Sequence, residues 1–114
     1  LQKATQVDKR LKQFAALTAP WFYQFIKTEP REYISRIIVP TWVAFGGKDK
    51  QVNASSNKKS LLHMGMENME VKVYDKLNHL FQTAETGAVS EYSNLSETFN
   101  PSVLDDMATW INSQ

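Results

Sequence analysis

Two side chains in this sequence have the types and the setting needed to share a proton. Asp49 follows Phe45-Gly46-Gly47-Lys48, and His79 follows Asp75-Lys76-Leu77-Asn78. Each comes directly after a segment that reads as a β-strand. A carboxylate that accepts the hydrogen bond of one imidazole nitrogen fixes the tautomer and stabilises the imidazolium, which leaves the other nitrogen to act as general base. That arrangement is two thirds of a hydrolytic triad. Taken singly, each residue has an ordinary explanation: an Asp after Gly-Gly forms turns, and a lone loop His is a solvated bystander. Their placement after two consecutive strands is what sets them apart.

The elements that must carry the pair follow from pattern. Residues 37 to 45 form an almost unbroken apolar run around Pro40, and Thr41, Trp42, Val43 and Phe45 favour β structure, so a buried strand is predicted at Thr41 to Gly46. A helix-compatible stretch runs from Asn53 to Gly65, with the glycine placed to cap its carboxy terminus. Glu70-Val71-Lys72-Val73-Tyr74 then alternates polar and apolar residues and predicts a second strand, near 70–75. Strand, helix, strand at this spacing is a βαβ unit with parallel strands and a right-handed crossover, and the fold class is α/β. Asp49 and His79 therefore both sit at the carboxyl ends of parallel strands. In open α/β sheets that edge is where ligands and reacting groups collect.

Helices are expected at both ends. Apolar residues recur at helical spacing from Val7 through Ile26, and Pro20 divides them into one helix ending near Leu17 and another starting at Pro20. The stretch Trp21 to Phe25 reads as buried, with Pro30 as its stop. A last helix is predicted to begin at Asn100-Pro101, with Asn100 as N-cap, Asp105-Asp106 near its positive end, and Val103, Leu104, Met107, Ala108 and Ile111 along one stripe. Between His79 and Asn100 lies a loop of about 20 residues in which Tyr92, Leu95 and Phe99 could form a helical turn; loops this long are often functional. Other candidates have plainer readings. His63 suits the carboxy terminus of the crossover helix, Met64, Met66 and Met69 are gap-fillers rather than a ligand set, Val52 packs beneath the loop, and Gln51 bonds backbone to hold Asp49 in place.

Composition narrows the function classes. The 114 residues carry a formal charge of +1 with no basic tract, which argues against a nucleic-acid partner. No apolar run approaches the ~20 residues needed to span a bilayer. The absence of cysteine excludes disulfides and thiolate chemistry, catalytic or metal-binding.

The segments Val39-Pro40-Thr41-Trp42-Val43-Ala44-Phe45-Gly46-Gly47-Lys48-Asp49-Lys50-Gln51-Val52 and Leu77-Asn78-His79-Leu80-Phe81-Gln82 resemble the last two strand-to-loop segments of α/β-hydrolase esterases. They are most similar to the branch related to dienelactone hydrolases and prolyl-oligopeptidase-type peptidases. The resemblance extends from Pro20-Trp21-Phe22 to Trp110-Ile111, nearly the whole chain. In that family the acid follows the penultimate strand and the histidine the last, in the order Ser, Asp or Glu, His. It implies Asp49 as triad acid, His79 as general base, a small acyl substrate, and neither metal nor organic cofactor.

The sequence departs from the family in one large respect. No serine lies in a Gly-x-Ser-x-Gly arrangement, and no upstream strand-loop is present to donate oxyanion amides. With Leu as first residue, the expectation is a single partial domain over 1–114, a carboxy-terminal fragment: cap-like or connecting helices in 1–28 and the end of the catalytic core in 37–114. Such a piece is expected to be inactive alone and to self-associate, because its first strand lacks an inner neighbour. Two other readings stand beside the esterase: a peptidase or aminoacyl hydrolase on the same fold, and a non-catalytic α/β interaction module.

Overall fold

The computed structural model describes residues 19–114. The predicted helix ending near Leu17 lies outside the described residues. The chain divides into two compact units, Leu1–Arg36 and Ile37–Gln114.

In the first unit, helix α1 spans Pro20–Lys27 with the proline in its first turn, where the missing amide costs no hydrogen bond. Its N-cap, Ala19, gives no side-chain bond. The aromatic stretch is not buried as its composition suggested: Trp21 is 66% and Phe25 69% exposed. Within the helix Trp21 lies edge-on to Phe22 at 5.5 Å and Lys27 over the Tyr23 ring at 4.3 Å. Pro30 does not act as the stop either. The helix ends at Lys27, and Pro30 opens a second short helix, α2 (Pro30–Ile34), whose N-cap Glu29 accepts from the Arg31 amide. The same ring that breaks a helix interior suits a helix start.

The second unit carries the site. Strand β1 (Thr41–Gly46) and strand β2 (Met69–Tyr74) pair in parallel with Thr41 opposite Met69 and Gly46 opposite Tyr74. Helix α3 (Ala54–His63) is the crossover between them. Asn53 caps it by accepting from the Ser56 amide at 2.8 Å, and Gly65, at φ +63°, turns the chain away just beyond its end. His63 Nδ1–H donates to the Lys59 carbonyl in the last turn. Met66 and Met69 line an open cleft of about 340 Å³ with Leu61, Leu62, Val71 and Glu67.

The result is a mixed α/β unit on a two-stranded parallel sheet. Most of β1 is half-buried rather than buried, because each strand is paired on one side only among the described residues. After a 3-10 turn at Val89–Asn94, earlier than the Tyr92, Leu95 and Phe99 spacing implied, helix α4 (Pro101–Asn112) closes the chain. Asn100 caps it by accepting from the Ser102 amide at 3.0 Å. Of its apolar stripe, Val103 is fully buried while Leu104 and Ile111 stay exposed. Asp106 serves the sheet rather than the helix dipole: its Oδ2 accepts from Lys72 Nζ and from the Tyr74 hydroxyl, both at 2.6 Å. Those contacts, the Lys72 pairing first, hold the Asp106 carboxyl below its usual range.

Candidate active site

The site begins where the two strands stop. Because β1 and β2 are parallel and in register, Gly46 and Tyr74 lie side by side, and the loops that follow leave the sheet at one edge. They run so close that side chains are excluded between them. A Cβ on Gly46 would fall 2.4 Å from the Asn78 carbonyl oxygen, and one on Gly47 would fall 2.6 Å from the Asp75 Cα. Backbone bonds fill the gap: the Gly47 amide donates to Tyr74 O at 2.8 Å and the Lys48 amide to Leu77 O at 2.9 Å.

Across this junction His79 Nδ1 stands 2.8 Å from Asp49 Oδ2. A carboxylate only accepts, so Nδ1 carries the proton and the neutral ring holds its lone pair on Nε2. Nε2 has no hydrogen-bond partner among the described residues, and the imidazole is 39% exposed against 7% for the carboxylate. The carboxylate's other oxygen is fixed by its own turn, accepting from the amides of Gln51 at 2.7 Å and Val52 at 2.9 Å. Burial pushes the Asp49 carboxyl up, but the bonds from Val52, His79 and Gln51 together outweigh it and hold the group below the usual carboxylate range. The acid therefore stays ionised beside the imidazole.

From the sequence, Gln51 is expected to hold Asp49 by bonding backbone and Val52 to pack beneath the loop; Asp49 is instead held by the backbone amides of both residues. The Gln51 side chain goes elsewhere: its Nε2 donates to the Tyr92 hydroxyl at 3.1 Å.

The groups that hold His79 were not singled out in the sequence. Asn78, immediately before it, is fully buried. Its Oδ1 accepts from the amides of Leu80 at 2.9 Å and Gln82 at 3.0 Å, and its Nδ2 donates to Gln82 Oε1 at 3.0 Å. Gln82 in turn donates through Nε2 to the Glu97 carbonyl at 2.7 Å. Residues 78–82 thus form a tight loop sealed by two buried amides, each satisfied, as burial demands. Phe81 adopts φ 56°, an unusual state for a bulky residue. Its ring lies 5.5 Å from Phe99 and 6.3 Å from Tyr74, a packing that holds it there. The available signal was the polar pair Asn78 and Gln82, four residues apart on either side of the loop's apolar residues.

Among the described residues no group of three or more His, Cys, Asp or Glu could hold a metal ion, and no helix is long and apolar enough to cross a membrane.

Comparison with known proteins adds one relative. An esterase, EstD of Thermotoga maritima, is 30% identical over 95 residues, which cover 82% of this chain and 23% of that protein. The chain thus spans about a quarter of the length of the curated relative it matches. No family model matches the chain, and no solved structure matches it.

Proposed function

We propose that Asp49 and His79 are the acid and the general base of a serine hydrolase of the α/β-hydrolase fold, acting on acyl esters, with the nucleophilic serine supplied from outside these 114 residues. The observation that carries the reading is the 2.8 Å contact from His79 Nδ1 to an ionised Asp49, with Nε2 left open. Likeness to an esterase supports the same class of reaction. On this reading β1 and β2 are the last two strands of a larger sheet, residues 37–114 are the end of its catalytic core, and 1–28 belong to a cap or connecting segment.

The chemistry follows from the geometry. A serine Oγ within reach of Nε2 gives up its proton to the imidazole as it attacks the ester carbonyl carbon. The imidazolium, stabilised by Asp49, returns that proton to the departing alkoxide, leaving an acyl-serine. Water then repeats the sequence: Nε2 takes its proton, hydroxide adds to the acyl carbon, and the serine oxygen leaves with the proton from Nε2. Asp49 keeps its negative charge throughout and fixes the tautomer.

The test is hydrolysis of an activated short-chain ester by the longer protein that carries this segment. His79→Ala is expected to remove most turnover, and Asp49→Asn to lower it by up to about 10⁴-fold through the wrong imidazole tautomer. A near-normal rate for His79→Ala would sink the assignment. The 114-residue chain alone is expected to show no hydrolysis that depends on His79.

A further inference from the structure

Beyond the acid and the base, one stretch of the long loop is held in an unusual way. The Lys48 ammonium, on the residue next to Asp49, donates to two successive carbonyls, Ala84 O and Glu85 O, each at 2.7 Å. On the other side of the same stretch the Glu91 carboxylate collects the amides. Its Oε1 accepts from Glu85 N at 2.7 Å, and its Oε2 from Gly87 N at 2.8 Å, Thr86 N at 3.1 Å and the Thr86 hydroxyl at 2.8 Å.

A cation thus covers the carbonyl ends of these peptide groups and an anion covers their amide ends. Both charges are oriented to favour the peptide dipoles between them. Close contact accompanies the bonds. Gly87 takes φ +74°, and a Cβ there would fall 1.8 Å from the Lys48 carbonyl oxygen, so the clamped stretch lies directly on the backbone that leads into Asp49. The Gln51 to Tyr92 bond ties the far side of the acid turn to the same loop.

We propose that Lys48 and Glu91 are positioning residues, which press residues 84–87 onto the acid turn and so keep the Asp49 carboxylate in line with His79. The proposal rests on the reading of Asp49 and His79 as a working pair, and neither Lys48 nor Glu91 touches the imidazole. Lys48 acts on the acid through the chain, since it is covalently adjacent to Asp49 and its own amide is held by Leu77 O. Glu91 acts one step further out, by giving the ammonium a preformed pair of carbonyls to grip. The bonds from Thr86 and Glu85 first, then those from Gly87 and the Thr86 amide, hold the Glu91 carboxyl down to about 2, so it remains an acceptor across the working pH range of most proteins.

The pair can be read in the 114-residue chain itself, independent of any ester hydrolysis. The probes are the Nδ1–H resonance of His79 in proton NMR and the carboxyl ¹³C titration of Asp49. The parent sequence is expected to show a slowly exchanging Nδ1–H signal and an Asp49 midpoint below that of a free aspartate. Lys48→Met is expected to lose the signal and move the Asp49 midpoint upward, while Lys48→Arg, which can also grip two carbonyls, restores both. A folded Lys48→Met chain with both readouts unchanged overturns the proposal. So does a loss that Lys48→Arg fails to restore, which would trace to packing of the stem. If Lys48→Met does not fold, Glu91→Gln, at a half-exposed position, carries the test with the same readouts, and no change there overturns it. Failure of the esterase reading would leave these signals untouched, so the two outcomes are separable.

Discussion

Substitution of Gly46 by alanine tests whether the site depends on the contact between its two loops. The new methyl would sit 2.4 Å from Asn78 O and 2.6 Å from Leu77 O, both backbone atoms that no rotamer change can move aside. An ordinary carbon–oxygen contact is about 3.3–3.6 Å, so the His79 loop must retreat by about 1 Å. That retreat stretches the 2.9 Å bond from the Lys48 amide to Leu77 O and the 2.8 Å contact between His79 and Asp49 beyond useful length. Overpacking costs about 1–3 kcal/mol and a lost backbone bond about 1 kcal/mol. Gly46→Ala should therefore destabilise by about 2–4 kcal/mol in urea unfolding. Gly65→Ala is the matched control. Nothing lies within 4 Å of its Cβ, so only the φ of +63° is penalised, at about 1–2 kcal/mol. In native buffer the His79 Nδ1–H signal should vanish in Gly46→Ala and persist in Gly65→Ala. A Gly46→Ala chain no less stable than Gly65→Ala, with the signal intact, would refute the argument that backbone proximity sets the site.

Three further outcomes follow from the same contacts. Asp49 and Glu91 both have native carboxyl pKa values lowered relative to the unfolded chain, Glu91 to about 2, so their stabilisation is full above about pH 4.5 and is lost as pH falls through the native values. The urea midpoint should drop between about pH 5 and pH 2 and drop less steeply in Glu91→Gln; a flat profile would contradict this. Asn78→Ala removes the acceptor for two amides in a fully buried loop and should cost about 3 kcal/mol, with a cost under about 1 kcal/mol showing that water takes its place. Self-association of the chain, expected because each strand is paired on one side only among the described residues, should appear as a mass above the monomer in sedimentation equilibrium at micromolar concentration. A clean monomer with cooperative unfolding would count against it.

Local chemistry was readable wherever one residue type has one dominant use. Asn100 caps the last helix as predicted, the helix expected after Asn53 forms with Gly65 just beyond its end, and β1 runs from Thr41 to Gly46 as its composition indicated. The Asp49 and His79 pairing was legible as an expectation of proximity, because parallel strands deliver their following loops to one edge. Burial was less legible. Trp21 and Phe25 read as core from composition, yet exposure depends on what lies opposite, which periodicity does not record. Pro30 has two opposite uses, and only its position relative to Glu29 distinguishes a stop from a start. The clamp of Lys48 and Glu91 left no mark, since backbone carbonyls and amides accept such partners whatever the residue types between them.

The register of the two strands also bears on how the chain folds. Every paired residue of β2 lies 28 positions after its partner in β1, from Thr41 with Met69 to Gly46 with Tyr74, and His79 follows Asp49 after nearly the same interval. A single loop closure therefore aligns both the strands and the pair beyond them. Once the crossover has closed, bringing the imidazole to the carboxylate costs little additional chain entropy. Loop-closure cost grows only logarithmically with length, by about 0.6 kcal/mol for each doubling. Extra residues inserted between Gly65 and Met69, beyond the end of α3, should accordingly slow folding slightly and leave the pair intact, whereas a single residue inserted between Gly46 and Asp49 would shift the carboxylate along its turn and out of line with His79.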